Sequence, residues 1–188
     1  YVSGKQLDRT LVSEARKLEI KMAHDMKVWE VVPRDPNVKT IGVRWIDINK
    51  GDERCPLYRS RLVAKEINTN KREDLFAATP PLEAKKILLS MAVTEGMGYQ
   101  PGCKSQGYKL EFIDVRRAYF HAKARRKVYV ELPEEDKQPG MCGRLKKAMY
   151  GTRDAAQNWE HAYTEFLQEA GFLSGVATPC VFYNPVRD

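Results

Sequence analysis

The sequence predicts an α+β fold in which antiparallel strands pack with several long helices. Three stretches place apolar residues at the 3.6-residue spacing of an amphipathic helix. Short runs rich in β-branched and aromatic residues lie between these stretches and predict strands. Because helices and strands do not alternate regularly along the chain, a parallel sheet is not favoured. A chain of 188 residues is long enough to bury a core of this kind.

The first helix is predicted from Leu11 to about Lys27, with Thr10 as the candidate N-cap. Its apolar positions share one helical face and are Leu11, Ala15, Leu18, Met22 and Met26. Residues 28–32 are mostly β-branched or aromatic and stop at a proline, so they predict a short strand. We therefore expect a helical lead-in over residues 1–26 and the main domain over residues 27–188.

The rest of the chain predicts a hairpin, two helices and four strands. Apolar and polar residues alternate over 41–48 and 57–65, with turn residues at 49–52, which is typical of an antiparallel hairpin with a long connection. Long helices are predicted after Pro81 and near Asp154, and a glycine follows each of them. The remaining predicted strands are 110–114, 128–132, 144–149 and 178–183.

Composition describes a basic, folded protein. The 32 Lys and Arg residues exceed the 25 Asp and Glu residues, which gives a formal net charge of +7 at pH 7. This excess favours a polyanionic partner such as nucleic acid. The sequence lacks an apolar run of the ~18 residues that a membrane span needs, a signal-peptide pattern and a metal-binding Cys spacing. We therefore expect an intracellular protein, cytoplasmic or nuclear, with no membrane partner and reduced thiols.

Asp114 is the first candidate for a chemical role, because it ends the predicted strand 110–114. The end of a strand can deliver a carboxylate into a cleft, where it could hold a divalent cation. The alternative is that Asp114 only caps a helix that begins near Val115.

Arg59, Arg61 and Lys65 form the second candidate, because a strand with a period of two places them on one face. Such a row of cations could bind a triphosphate or a nucleic-acid backbone. The alternative is the solvated outer face of a hairpin.

A basic run over residues 116–127 is the third candidate. Its cations are Arg116, Arg117, Lys123, Arg125, Arg126 and Lys127, and the run contains no acidic residue. Tyr119 and Phe120 lie within it and add rings on which bases could stack. The run therefore predicts a nucleic-acid contact, with a solvated loop as the alternative. Nucleophile motifs of hydrolases and the glycine loop of Walker-type ATPases do not occur in the sequence.

Several segments in chain order resemble the reverse transcriptase of Ty1/copia-type retrotransposons. These segments are 28–33, 41–45, 58–65, 112–115 and 144–151, followed by Trp159 and 178–183. The resemblance extends over roughly residues 27 to 184 without interruption. Many motifs in the same order are more specific than any single motif, and they favour a catalytic role for Asp114.

The resemblance implies a right-hand polymerase, with the fingers and part of the palm present and the thumb absent. It assigns Asp114, helped by the backbone carbonyl of Val115, to a site for two Mg²⁺ ions. It makes Arg59, Arg61 and Lys65 candidate triphosphate contacts and leaves open which of them reaches the phosphates. Tyr119 would exclude a ribose 2′-hydroxyl and so favour deoxynucleotides.

The resemblance also implies partners. These are an RNA template, a DNA primer, deoxynucleoside triphosphates, and the integrase and RNase H regions of a retrotransposon polyprotein. The candidate nucleic-acid contacts are Arg116, Arg117, Arg125, Arg126 and Lys127.

Three departures from the family pattern change the functional expectation. Asp154-Ala155-Ala156 stands where the family usually has Gln-Ala-Pro, and the basic run replaces a loop that is commonly acidic. The second carboxylate motif, an Asp-Asp pair on a hairpin, does not occur before Asp188. Since two-metal chemistry needs carboxylates from both strands, we expect a truncated polymerase that is inactive as this chain alone. The alternatives are a non-catalytic nucleic-acid-binding or interaction module derived from a retroelement, and an inactive fragment of marginal stability.

Overall fold

The chain divides into two compact units, and each is described separately. The computed structural model describes residues 6–67, 77–99, 101–102 and 107–186. The first unit draws on residues 1–76 and 117–162, and the second on residues 77–116 and 163–188. The architecture is mixed α and β, with several small sheets and helices, as the sequence predicts.

The helices and strands are numbered in chain order. The helices are α1 (Arg9–Asp25), α2 (Leu82–Val93), α3 (Ala118–His121) and α4 (Ala155–Glu169), with a 3-10 turn at Glu134–Asp136. The strands are β1 (Trp29–Pro33), β2 (Thr40–Ile41), β3 (Val43–Asn49), β4 (Tyr58–Ala64), β5 (Tyr129–Val130), β6 (Met141–Leu145), β7 (Leu173–Ser174) and β8 (Phe182–Tyr183). Among the described residues, no helix combines the length and apolar character needed to cross a membrane.

Helix α1 confirms the predicted first helix but begins earlier than expected. Its N-cap is Asp8, whose carboxylate accepts hydrogen bonds from the backbone N–H groups of Thr10 and Leu11 at 2.8 and 3.0 Å. The prediction of Thr10 as the N-cap is therefore wrong. The carboxylate of Asp8, two residues upstream, already accepts hydrogen bonds from the first turn. The buried face of α1 consists of Glu19, Ile20 and Ala23.

The first unit contains a four-stranded sheet in the order β1-β6-β5-β2. Strand β6 is antiparallel to both of its neighbours, whereas β2 is parallel to β5. The predicted strand over 128–132 is thus observed as the shorter β5, and the one over 144–149 lies earlier in the chain, as β6. The side chains of Val28, Val130 and Met149 are fully buried in the core of this unit.

The predicted hairpin forms a separate two-stranded ribbon of β3 and β4. Antiparallel register pairs Trp45 with Leu62 and Asp47 with Ser60. The inner face of β4 is buried and faces α1, where Arg16 reaches across to Asp47 at 2.6 Å. The ribbon is therefore fixed from one side and presents its other side outward.

The second unit contains α2, the end of α4 and the hairpin of β7 and β8. Helix α2 confirms the predicted second helix, although none of its residues is buried. Within this unit the ring of Tyr163 packs edge-on against Phe182, with centroids 6.0 Å apart. The predicted strand over 178–183 is limited to the two residues of β8.

The prediction of a strand over 110–114 is wrong in this structure. These residues are described and adopt no strand, and Phe112 and Ile113 are 85% and 78% exposed. A strand gains its hydrogen bonds only from a neighbouring strand. Within the described ranges no segment pairs with residues 110–114, so the apolar pattern alone does not produce a strand there.

Candidate nucleotide-binding site

The outer face of the β3–β4 ribbon carries the cations that the sequence singles out. Along β4, Ser60, Leu62 and Ala64 are buried at 3% exposure or less. Arg59 and Arg61 alternate with them and lie half-buried on the opposite face. The predicted shared face of Arg59 and Arg61 is therefore observed.

Lys65 lies outside this row. Strand β4 ends at Ala64, and the backbone N–H of Lys65 donates to the carbonyl of Gly42 at 2.8 Å. A Cβ placed on Gly42 would lie 3.0 Å from Lys65 Cε and 3.4 Å from Glu131 Oε2. The Lys65 side chain therefore extends over Gly42 towards the Glu131 carboxylate, and it does not line the cavity beside Arg59 and Arg61.

A cavity of about 330 Å³ lies against the outer face of the ribbon. Its cationic lining comes from Lys50, Arg59 and Arg61, and its floor includes Tyr150 and Gly151. The apolar remainder of the lining is Ile46, Ile48 and Val63. A concave surface with apolar walls and a few convergent charged groups is typical of a small-ligand site, and three cations suit an anionic ligand.

Tyr150 connects the cations to the rest of the first unit. The Arg61 guanidinium carbon lies 5.1 Å from the centroid of the Tyr150 ring, within the range of a cation–π interaction. Burial raises the pKa of the Tyr150 hydroxyl, and the positive charges of Arg61 and Arg59 oppose that shift. Tyr150 therefore remains a neutral phenol and offers Arg61 the face of its ring.

Tyr119 packs against the same ring. The centroids of Tyr119 and Tyr150 lie 4.7 Å apart, and those of Phe120 and Tyr150 lie 5.7 Å apart in an edge-on arrangement. Tyr119 contacts the floor of the cavity but does not line it. The structure thus brings Arg59, Arg61 and Tyr119 together through Tyr150. No pattern in the sequence predicts Tyr150 as a cavity residue, although it belongs to a segment that carries the resemblance.

Gly151 explains how Tyr150 is held at the ribbon. The backbone N–H of Ala64 donates to the Tyr150 carbonyl at 2.8 Å, so this segment lies directly against β4. Gly151 has φ of +81°, and a Cβ placed there would lie 2.0 Å from the carbonyl oxygen of Ala64. Only glycine combines this backbone conformation with so close an approach. The segment Tyr150–Gly151 therefore attaches the floor of the cavity to β4.

The cations of the basic run include two partly buried arginines that bind carboxylates and three exposed residues. Arg117 donates to Glu19 on α1 from Nε at 3.0 Å and from Nη2 at 2.7 Å. Arg126 donates to Glu66 from both of its terminal nitrogens, at 2.8 and 2.5 Å. By contrast, the side chains of Arg116, Arg125 and Lys127 are exposed. The charge pattern of the run does not reveal this division, because the acidic partners lie far away in sequence.

Asp154 completes the group around Arg126. Asp154 is buried, and its carboxylate accepts hydrogen bonds from Arg126 Nη2 and from Asn158 Nδ2, each at 2.9 Å. Burial raises the pKa of Asp154, but the hydrogen bonds from Arg126 and Asn158 outweigh that effect and leave the pKa below its usual value. The pKa of Glu66 is lowered in the same way: hydrogen bonds from Arg126 and from the backbone N–H of Arg153 outweigh burial. Both carboxylates are therefore ionised at neutral pH.

Asp114 lies in the second unit and is exposed, as is the following Val115. Among residues 6–67, 77–99, 101–102 and 107–186, no three His, Cys, Asp or Glu side chains come together as a possible metal site. The described part of the chain thus forms no three-ligand metal site that includes Asp114.

Comparisons with known proteins give relatives among plant retrotransposons. The chain is 22% identical over 185 residues to the Retrovirus-related Pol polyprotein from transposon TNT 1-94 of Nicotiana tabacum. It is 26% and 27% identical, over 179 and 164 residues, to the corresponding polyproteins from transposons RE2 and RE1 of Arabidopsis thaliana. These alignments cover 94%, 90% and 82% of this chain but only 13%, 12% and 10% of the polyproteins.

The chain is thus similar to a short portion of much longer proteins. No solved structure matches it. The family model described as reverse transcriptase (RNA-dependent DNA polymerase) matches residues 26–184. These residues include the ribbon, the cavity and Asp114, and the relatives are Pol polyproteins of Ty1/copia type. The chain therefore belongs to the reverse transcriptase family of Ty1/copia-type retrotransposons.

Proposed function

We propose that this chain forms the fingers and part of the palm of a retrotransposon reverse transcriptase, and that the cavity beside the ribbon binds the triphosphate of an incoming deoxynucleotide. The observation that carries the proposal is the convergence of Lys50, Arg59 and Arg61 on one cavity within the family-matched region. A triphosphate carries several negative charges, and guanidinium groups bind phosphate oxygens through paired N–H donors.

The positions of the cations suggest how their roles divide. Arg61 is held over the Tyr150 ring, so its guanidinium is oriented before a ligand arrives, and Arg59 lines the same cavity. We assign the triphosphate contacts to these two arginines, with Lys50 in support. Lys65 extends towards Glu131 and has a secondary role in this proposal. Tyr119 does not line the triphosphate cavity, so its proposed role in excluding a ribose 2′-hydroxyl requires the sugar to lie outside that cavity, beside the Tyr119 ring.

The metal requirement is only partly met by the described residues. Asp114, with the backbone carbonyl of Val115, is the proposed contribution of this chain to a site for two Mg²⁺ ions. Two ions need several carboxylates, and the part of the chain that the structure describes holds no group of three metal-binding side chains. The described residues alone therefore do not supply enough ligands to bind two Mg²⁺ ions. We expect the other ligands to come from elsewhere in the polyprotein.

Nucleotide binding is the direct test of the cavity. We expect this chain to bind dATP in a calorimetric titration, and expect Arg61→Gln or Arg59→Gln to weaken binding about 10- to 100-fold, because a hydrogen bond to a charged group is worth about 1.5–3 kcal/mol. Lys17→Gln makes the same change of charge at an exposed position on α1 and should have no effect. Equal losses in all three variants would mean that net charge, and not this cavity, attracts the nucleotide.

Polymerase activity is tested with a longer portion of the same polyprotein. We expect such a protein to extend a DNA primer on an RNA template with Mg²⁺, and Asp114→Asn to abolish synthesis. Full synthesis by the Asp114→Asn variant would refute the catalytic role of Asp114. Tyr119→Ala should increase incorporation of ribonucleotides, and an unchanged preference for deoxynucleotides would remove Tyr119 from its proposed role.

The exposed cations of the basic run are the proposed contacts to template and primer. If Arg116, Arg125 and Lys127 each neutralise one phosphate, replacing all three with Gln should lower the salt dependence of duplex binding by about 2.7, at about 0.9 per phosphate. Here the salt dependence is the slope of log affinity against log salt concentration. Arg117 and Arg126 are the less favourable contacts, because their guanidinium groups bind internal carboxylates. A large change of slope on their replacement, without unfolding, would restore them as phosphate contacts.

A non-catalytic nucleic-acid-binding module is the second candidate. The exposed Arg116, Arg125 and Lys127, together with the lack of a three-ligand metal group among the described residues, favour it. Salt-dependent binding of RNA or DNA, without Mg²⁺-dependent synthesis by the longer protein, would support this function over polymerisation.

A further inference from the structure

Helix α1 ends at Asp25 and so lies entirely outside the family-matched residues, which begin at residue 26, yet it contributes a buried carboxylate to the first unit. Glu19 is 4% exposed. One of its oxygens, Oε2, accepts from Arg117 Nε at 3.0 Å and from Arg117 Nη2 at 2.7 Å. Removing the cation from a buried carboxylate strongly destabilises the folded state, so the Glu19–Arg117 pair holds α1 against the segment around Arg117.

Arg117 occupies a position where its backbone needs support. It has φ of +53°, in the left-handed region that non-glycine residues rarely adopt, and it immediately precedes α3. Its carbonyl accepts the backbone N–H of Phe120 at 2.9 Å and so closes the single turn of that helix. Its Nη1 is buried without a hydrogen-bond partner among the described residues, whereas Nε and Nη2 both donate to the Glu19 carboxylate. The Glu19 pair offsets the cost of this conformation.

Helix α3 carries both rings that contact Tyr150. Tyr119 and Phe120 are two and three residues beyond Arg117, and a helix of four residues has little stability of its own. Phe120 is 1% exposed, so the turn is packed on one side by its ring and held at its start by Arg117. The negative charge of Glu19 also acts to raise the pKa of the Tyr150 hydroxyl, although burial is the larger cause.

We infer that Glu19 is a positioning residue for the aromatic floor of the nucleotide cavity, acting through Arg117 and α3 on the Tyr119–Tyr150 pair. The helix that precedes the family-matched region is then a working part of this polymerase unit. The expected effect of Glu19 on sugar selection rests on the proposed nucleotide-binding function. The expected effect on the placement of the Tyr119 and Tyr150 rings does not depend on that function.

Glu19→Gln is the most direct test, because the amide keeps the size of the side chain and removes its charge. We expect the ring resonances of Tyr119 and Tyr150 to shift in a ¹H–¹³C spectrum, while those of Tyr183, in the second unit, stay in place. Glu14→Gln is the matched control, since Glu14 is an exposed carboxylate on the same helix. Arg117→Lys keeps the cation but loses the guanidinium fork, so it is the second variant if Glu19→Gln fails to fold.

The second measurement compares dATP with ATP, which differ only at the ribose 2′ position. The ratio of the two affinities should fall about five- to tenfold in Glu19→Gln, with no change in Glu14→Gln. Unchanged Tyr119 and Tyr150 signals in folded Glu19→Gln would overturn the inference, and so would an unchanged ratio where the nucleotides bind. If the unaltered chain binds neither nucleotide, the proposed function fails, and the ring signals still decide whether Glu19 positions the floor.

Discussion

Replacing Arg126 with Met should destabilise the first unit strongly, because one guanidinium neutralises two carboxylates from distant parts of the chain. Arg126 makes three hydrogen bonds of 2.5 to 2.9 Å to Glu66 and Asp154. Met keeps an unbranched apolar stem but lacks the guanidinium group. The variant would leave two ionised carboxylates close together, with side chains only 15% and 7% exposed.

The magnitude follows from these exposures and from the remaining partners. Removing one member of a buried ion pair costs about 3–5 kcal/mol. Arg126 is itself 32% exposed, so water already screens part of the interaction. Glu66 also keeps the backbone N–H of Arg153, and Asp154 keeps the amide of Asn158. We therefore expect a loss of about 2–3 kcal/mol in the free energy of unfolding, which lowers the Tm by roughly 5–10 °C for a chain of this size.

Urea unfolding followed by circular dichroism and tryptophan fluorescence measures this loss. Lys127→Met is the matched control, since it removes the same charge from the exposed side chain next to Arg126. We expect a change within about 0.5 kcal/mol for the control. A loss for Arg126→Met that is no larger than the loss for Lys127→Met would refute this expectation.

The dependence on pH gives an independent check. The pKa values of Glu66 and Asp154 lie below their ordinary values of 4.5 and 3.8 in the folded protein. A lowered carboxylate pKa stabilises the fold above the unfolded pKa, and this stability disappears as the pH falls through the folded pKa. The difference in free energy of unfolding between the unaltered chain and Arg126→Met should therefore be largest at neutral pH. It should shrink as the pH falls below 4.5, the ordinary pKa of Glu66, and then below 3.8, the ordinary pKa of Asp154. A difference that stays constant from pH 7 to about pH 3 would exclude these two carboxylates as its source.

Substitutions at three further positions test other parts of the first unit. Gly151→Ala should cost about 3 kcal/mol in urea unfolding, because its Cβ would meet the Ala64 carbonyl at a positive φ; a loss under about 1 kcal/mol would contradict the observed contact. Asp8→Ala should cost about 1 kcal/mol through loss of the α1 cap, and Asp8→Asn should restore most of it. Tyr150→Leu should weaken dATP binding about two- to fivefold in calorimetry by removing the ring beneath Arg61, whereas Tyr150→Phe should preserve binding.

The elements that local patterns specify were predictable from the sequence. Helical spacing located α1, α2 and α4, and alternation located the β3–β4 ribbon together with the outward direction of Arg59 and Arg61. Both kinds of pattern are set by neighbours within a few residues, so a single sequence contains them.

Features that depend on distant partners were not predictable in the same way. The strand expected over 110–114 has the right local pattern, but within the described residues it has no neighbouring strand to pair with. Arg117 and Arg126 belong to a charge run that is typical of a solvated loop, yet their partners Glu19 and Glu66 lie 98 and 60 residues away. Burial of a charge is decided by such long-range pairing, and no short-range signal marks it.

Two residues that depart from the pattern implied by the resemblance lie in one hydrogen-bonded group. A basic residue within the run 116–127 and an acidic residue in place of the usual Gln are separate anomalies when the sequence is considered alone. In the structure they are Arg126 and Asp154, which are joined at 2.9 Å. Without Arg126, Asp154 would be a buried carboxylate supported by Asn158 and its own backbone, and such a group is costly to keep ionised. With a neutral amide at position 154, Arg126 would keep only the charge of Glu66. The ionised Asp154 therefore balances part of the charge of Arg126, and this contact involves neither a nucleotide nor a template.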